Sequence, residues 1–218
     1  NNWAGEAKQG IFEEENFTSP GYVAHLAWRG VPGLRLGGSF YYCRNIGSNA
    51  DKSQTYKGLG TFPIRIYNVE GQYRNRYVEA RANALWGNLT NSQVISKKNT
   101  MLSNKSPYSR ITPVAHKAVA YGGEIGIKLN SLIADERCPQ ITPFVRYEYY
   151  NPQEDVLKPY NADDRLKTSL WTAGVNWHPL PELVVKADYT NRSISSGKYN
   201  SENEFAIGIA WTGWLFSK

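Results

Sequence analysis

The sequence predicts an all-β protein and, within that class, an antiparallel transmembrane β-barrel of about nine strands. Three observations carry the prediction. Apolar residues recur at every second position along most of the chain, the alternate positions mix small residues with charges of both signs, and the connections alternate between short and long. The longest apolar stretch, Phe205 to Trp211, is seven residues, against the roughly 20 that a helical span needs.

The strands read in order as follows. Tyr22, Ala24, Leu26 and Trp28 share a face, with Val23, His25, Ala27 and Arg29 between them. Val31-Pro32-Gly33 is a turn signal, because proline presets its backbone angle and glycine tolerates the left-handed region. Leu34, Leu36, Gly38, Phe40 and Tyr42 then resume the pattern, with Arg35, Gly37, Ser39 and Tyr41 opposite, which makes a hairpin. Ile64 to Gln72 sets Tyr67 and Val69 against Asn68, Glu70 and Gln72. The clearest strand, Tyr77 to Leu89, puts Val78, Ala80, Ala82, Ala84 and Trp86 on one face and Glu79, Arg81 and Asn83 on the other. Val119, Tyr121, Gly123, Ile125, Ile127 and Leu129 alternate with Ala118, Ala120, Gly122, Glu124, Gly126 and Lys128. Val145, Tyr147 and Tyr149 alternate with Arg146 and Glu148, and Trp171, Ala173, Val175 and Trp177 with Thr172, Gly174 and Asn176. Val185, Ala187 and Tyr189 alternate with Lys186, Asp188 and Thr190. Phe205, Ile207, Ile209 and Trp211 close the series against Glu204, Ala206, Gly208 and Ala210, and no helical period of comparable length competes.

The second face separates two β architectures. In a soluble sandwich, the alternative reading, outer faces are polar and seldom carry isolated Gly and Ala. Here Arg35, Arg81, Lys128, Arg146, Lys186 and Arg192 stand beside Glu70, Glu79, Glu124, Glu148 and Asp188, interspersed with Gly and Ala. Charges of both signs facing one enclosed space suit a watery lumen, and the aromatic-edged apolar face suits lipid. The expected pore-lining residues are Arg35, Glu79, Arg81, Lys128, Arg146, Glu148, Lys186 and Asp188.

Connections sort by length. Gly30–Gly33, Tyr73–Arg76 and His178–Glu182 are short and Asn130–Gln140 is intermediate, whereas Arg44–Thr61, Asn88–His116, Asn151–Lys167 and Asn191–Asn203 are long. Outer-membrane barrels have short periplasmic turns and long external loops. On that orientation the first and ninth strands both run toward the periplasm, where the C-terminus lies. Bacterial single-chain barrels have even strand numbers, so the chain is expected to be the C-terminal part of a larger barrel, or to close with another copy or partner. Residues 1–20 then belong to an external loop; Glu6, Glu13, Glu14 and Glu15 fit no signal peptide, so one is expected to have been cleaved or the start of the protein to be missing.

Several runs resemble porin-like outer-membrane proteins of Bacteroidetes. They are Gly10 to Pro20, Gly30-Val31-Pro32-Gly33-Leu34-Arg35 with Ser39-Phe40-Tyr41-Tyr42, Pro143 to Pro152, and the tail from Phe205 to Lys218. The resemblance is to the C-terminal half of that family. It implies an outer-membrane channel for small hydrophilic solutes and no particular solute. The tail departs from the usual terminal aromatic by ending Phe216-Ser217-Lys218, and the parity change from Trp211 to Trp214 and Phe216 predicts a bulge near Thr212-Gly213.

The 218 residues carry a net charge of +6 and are 13% aromatic, which excludes a disordered chain and favours anionic partners. Nucleic acid is not expected among them, because the aromatics lie opposite most strand bases. Outer-membrane lipid, lipopolysaccharide and small solutes, anionic ones among them, are the expected partners, with a homo-oligomer or larger membrane complex open. Enzymatic chemistry is not expected. His25, His116 and His178 fall on a strand, an external loop and a short turn, so no catalytic set converges. Gly122-Gly123-Glu124-Ile125-Gly126 lies inside a strand pattern with no helix after it, which fits packing and not nucleotide binding. No cofactor or metal is expected. Glu154, Asp155, Asp163 and Asp164 fit no calcium-loop spacing and are interspersed with Lys158, Arg165 and Lys167. Cys43 and Cys138 are placed at opposite ends of the barrel wall, so no disulfide is expected. The loop bases Lys97, Lys98, Lys105 and Arg110, with Lys117, have two readings. Solvated bases or bases on lipopolysaccharide phosphates are the preferred expectation, and an inward-folded positive constriction is the other. For the whole chain, the alternative to a porin is a structural or complex-associated barrel without a transport role.

Overall fold

A computed structural model describes residues 19–46, 58–100, 113–133 and 139–211. Nine strands form one antiparallel sheet in chain order: β1 (Gly21–Val31), β2 (Leu34–Cys43), β3 (Ile64–Arg74), β4 (Val78–Leu89), β5 (Lys117–Ile127), β6 (Gln140–Asp155), β7 (Thr168–Leu180), β8 (Leu183–Ile194) and β9 (Ser201–Trp211). Each strand pairs only with its sequence neighbours, and among the described residues β1 and β9 leave the sheet open at both edges. A sandwich needs two sheets stacked about 10 Å apart. This single sheet is therefore no sandwich.

Register keeps the two faces separate across all nine strands. Rows such as Trp28–Leu36–Gly71–Ala82–Gly123–Tyr147–Trp171 lie on the apolar face. The row Gln72–Arg81–Glu124–Arg146–Thr172–Thr190–Glu204 lies on the polar one. The polar face is the more enclosed. Thr142, Thr168 and Thr172 are 1%, 2% and 5% exposed, whereas Trp171 and Trp177 on the apolar face of the same sheet region are 56% and 43% exposed. The polar face is called inner and the apolar face outer below.

Short turns are fixed by their residues. Pro32 and Gly33 occupy the β1–β2 turn with Gly33 at φ +80°, a region that a side chain disfavours. Its carbonyl accepts from Arg74 N at 2.8 Å, joining the first two short-turn ends. Asn75 caps the β3–β4 turn, its Oδ1 accepting from Tyr77 N at 2.8 Å and Val78 N at 2.7 Å.

Several expectations are corrected. Most strands run longer than the alternation indicates, notably β6, whose polar continuation through Asn151 to Asp155 looks like loop in sequence. Leu129 leaves β5 and opens a single 3-10 turn, Leu129–Leu132. His178 belongs to β7, opposite Gln140, and not to a turn. A helix, α1 (Ser92–Thr100), stands in the β4–β5 connection where no helical period is visible. The expected Thr212-Gly213 bulge, Cys138 and residues 1–18 lie outside the described residues.

Small residues on the inner face permit close packing. A Cβ on Gly174 would stand 2.6 Å from Asp188 Cβ, 2.7 Å from Ala187 O and 2.8 Å from Phe144 Cζ. Gly174→Val is therefore expected to destabilise the sheet by about 1–3 kcal/mol, the usual cost of overpacking. A drop in thermal-unfolding midpoint checks this, and an unchanged midpoint would mean that the β7–β8 backbones part enough to admit the side chain.

Candidate functional site

The inner face of β2 to β8 carries a cross-strand charge network. Arg81 and Arg146 flank Glu124 in one register row, because β4, β5 and β6 bring them side by side. Arg81 Nη2 donates to Glu124 Oε2 at 3.1 Å, and Arg146 Nε donates to the same oxygen at 2.7 Å, with its Nη2 also against it. One carboxylate thus holds two guanidiniums, an arrangement stronger than isolated exposed pairs because each bond is charge-assisted and geometrically fixed. Arg35 pairs with Glu70 at 3.3 Å, and Glu148 lies 4.0 Å from Arg146. These six side chains border a cavity of about 410 Å³.

Toward the short-turn end, Glu79 takes Arg74 at 3.7 Å and Lys128 at 3.8 Å. Lys128 is buried just beyond β5, its Nζ donating to Asn75 O at 3.0 Å, so it clamps the short-turn end of the sheet and does not stand in the middle of the inner face. Lys186 and Asp188 pair at 2.9 Å on β8. Between these groups lies Phe144, an inner-face aromatic that the alternation did not single out. Lys186 Nζ is 5.3 Å and Arg146 Cζ 5.9 Å from its ring centroid, within cation–π range. All eight expected lining residues are thus on or beside the inner face. The hub Glu124, its neighbour Glu70, Phe144 and the Arg192–Glu202 pair at 3.2 Å complete the set.

At the long-loop end the inner face turns apolar. Cys43, Phe62, Ile64, Leu89 and Val114 form a small core, against which Tyr41, Leu59, Ile66, Val94 and Ile95 pack. Val94 and Ile95 come from α1, so the described part of the β4–β5 connection folds over the inner face. Lys97 remains exposed and Lys98 half-buried in the last turn of α1, where the helix dipole favours cations. Lys105 and Arg110 lie outside the described residues. Hydrogen bonds fix this cap: Val114 N donates to Ser96 Oγ at 2.8 Å, and Asn91 Nδ2 to Thr61 O at 2.9 Å.

Gln153, 4% exposed, links two long connections. Its Nε2 donates to Pro113 O at 2.6 Å, and its Oε1 accepts from Asp163 N at 2.9 Å. Asp163 in turn caps the 3-10 turn Asp164–Leu166, and its bonds from Arg165 hold its carboxyl below the ordinary aspartate value. Glu154 accepts from Asn151 Nδ2 at 2.8 Å. Gln153→Ala removes both bonds of the link and leaves two backbone groups unpaired, a loss of about 1–3 kcal/mol per orphaned group if they stay buried. Faster proteolysis within the β4–β5 and β6–β7 connections, with the strands still protected, is the expected result. An unchanged digestion pattern would mean that the two connections are held independently.

The outer face is a continuous apolar band. On β4 it runs from Val78 through Ala80, Ala82 and Ala84 to Trp86, and ends at Asn88. Phe40–Tyr67–Trp86 and Tyr121–Tyr149 form ring contacts toward the long-loop end, with centroids 5.0, 5.7 and 4.9 Å apart. Trp28, Tyr73, Trp177 and Trp211 mark the other edge.

Comparison with protein-family models and with curated proteins finds no match.

Proposed function

We propose that this sheet is part of the wall of an outer-membrane β-barrel porin, a passive water-filled channel for small hydrophilic solutes. One observation carries the reading: the amphipathicity is inverted, with threonines and the Glu124, Arg146 and Asp188 side chains sheltered and Trp, Tyr, Ile and Val exposed. In water such a surface would expose far more contiguous apolar area than a monomer tolerates. In a bilayer it is the ordinary arrangement. The dimensions agree as well. From Val78 to Trp86, about 3.3 Å of rise per residue at a tilt of about 40° gives about 20 Å, close to the ~25 Å apolar band of such barrels. Long connections at one end only, and the resemblance to Bacteroidetes porin-like proteins, support the same orientation and class.

Closing the barrel then requires strands beyond these nine. The lumen field belongs to the Arg35, Glu70, Arg81, Glu124, Arg146 and Glu148 cluster, where anions and cations meet nearly balanced charge. The test is refolding into detergent, comparison of boiled and unboiled gel migration, and single-channel recording in planar bilayers. Heat-modifiable migration with steady conductance is expected. Folded protein that inserts but passes no current in varied salt would favour the structural barrel instead. Folded monomer stable without detergent would overturn the membrane reading itself.

A further inference from the structure

The strand bases divide by face. On β2 to β8 every inner-face Arg and Lys has a carboxylate partner: Arg35 with Glu70, Arg74 with Glu79, Arg81 and Arg146 with Glu124, Lys186 with Asp188, Arg192 with Glu202. Two bases face outward, Arg65 on β3 and Lys117 on β5, and both are exposed. Among the described residues no carboxylate lies within ion-pair distance of either, although Lys117 is in register with Asp155. They occupy one register row, Tyr42–Arg65–Asn88–Lys117, which is the first polar row beyond the apolar band on the long-loop side. Directly below it, two residues along each strand, lie Tyr67, Trp86 and Val119, with Tyr67 and Trp86 stacked. Arg65 is steadied by the Tyr42 ring, its Cζ 5.7 Å from the centroid.

We infer that Arg65 and Lys117 form a binding site for the phosphate of a glycolipid headgroup in the outer leaflet. The inference rests on the membrane reading above and adds a lipid partner to it. Two strand spacings separate the two backbones, about 10 Å. Arg and Lys side chains converge on one phosphate across that gap, the guanidinium giving paired donors and the ammonium a point charge. The aromatic row beneath sets the level of the acyl–headgroup boundary. A soluble anion would reach the same bases without any use for that row, so the lipid is the occupant that accounts for both features.

The test is native mass spectrometry of the detergent-solubilised protein. The ligands are monophosphorylated lipid A, its phosphate-free counterpart and inorganic phosphate. Phosphorylated lipid is expected to bind on the order of tenfold better than the phosphate-free lipid, the scale set by two bases near an anionic headgroup. The double variant Arg65→Gln, Lys117→Gln should fall to the phosphate-free level, while Lys97→Gln, Lys98→Gln should bind as the parent does. Equal binding by the parent and the Arg65/Lys117 variant overturns the site. Displacement of the lipid by inorganic phosphate overturns the lipid as its occupant. Entry into phosphatidylcholine vesicles, measured in parallel, separates the two readings: entry without phosphate preference sinks the site alone, and failure to enter sinks the membrane reading with it.

Discussion

Reversing Arg81 and Arg146 to Glu is expected to move the reversal potential of the reconstituted channel strongly toward cation preference. The two guanidiniums share Glu124 at the floor of the inner-face cavity, so the double reversal leaves three carboxylates in one register row with Glu70 and Glu148 nearby. A unit charge about 5 Å from a passing ion in water contributes about 0.8 kcal/mol, roughly a fourfold change in local ion concentration. Changes at two positions compound this, less what salt screens. Glu124→Gln makes the opposite change and should favour anions while leaving both guanidiniums in place. Measurement in a salt gradient at low and high ionic strength checks both. Unchanged reversal potentials in both variants would sink the assignment of this cluster to the conduction path.

Val145→Arg is expected to be the most damaging single substitution on the outer face. Val145 lies at the centre of the apolar run of β6, 46% exposed among Ile125, Tyr147 and Trp171. An arginine near the bilayer midplane of a barrel costs about 2–4 kcal/mol, whereas an exposed arginine in water costs almost nothing. The same change at Asn83, on the inner face opposite Glu70, should be tolerated because the new charge meets water and carboxylates. Urea unfolding from vesicles reads the difference. Equal tolerance at both positions would place the outer face in water, against the membrane reading.

The strands and their two faces were legible in the sequence because the signal is a period of two, repeated along nine strands. Tyr121, Gly123 and Ile125 declare their face without knowledge of any partner. The network was legible only as composition. Which acid meets which base depends on register, and the apolar alternation leaves every even shift equivalent, so nothing local ties Arg81 to Glu124 and Arg146. Phe144 was hidden for a related reason: an aromatic on the charged face breaks the pattern, and its place depends on Gly174 across the β6–β7 pairing. Helix α1 was invisible because it buries Ser92, Ser96 and Asn99, which show no apolar stripe at helical spacing. Its position is set by hydrogen bonds to the neighbouring connections and by Val94 and Ile95, not by amphipathicity.

The open edges of the sheet have a consequence for assembly. In an antiparallel meander of nine strands, β1 and β9 point the same way. A second copy inserted with the same orientation would offer its β1 to this β9 with the two chains running side by side, and so would a third. Rings made only of such copies would therefore carry a parallel seam at every junction, however many joined. An all-antiparallel wall demands an odd number of intervening strands at every junction, the first of them running opposite to β9, so the closing element differs from the sheet it completes.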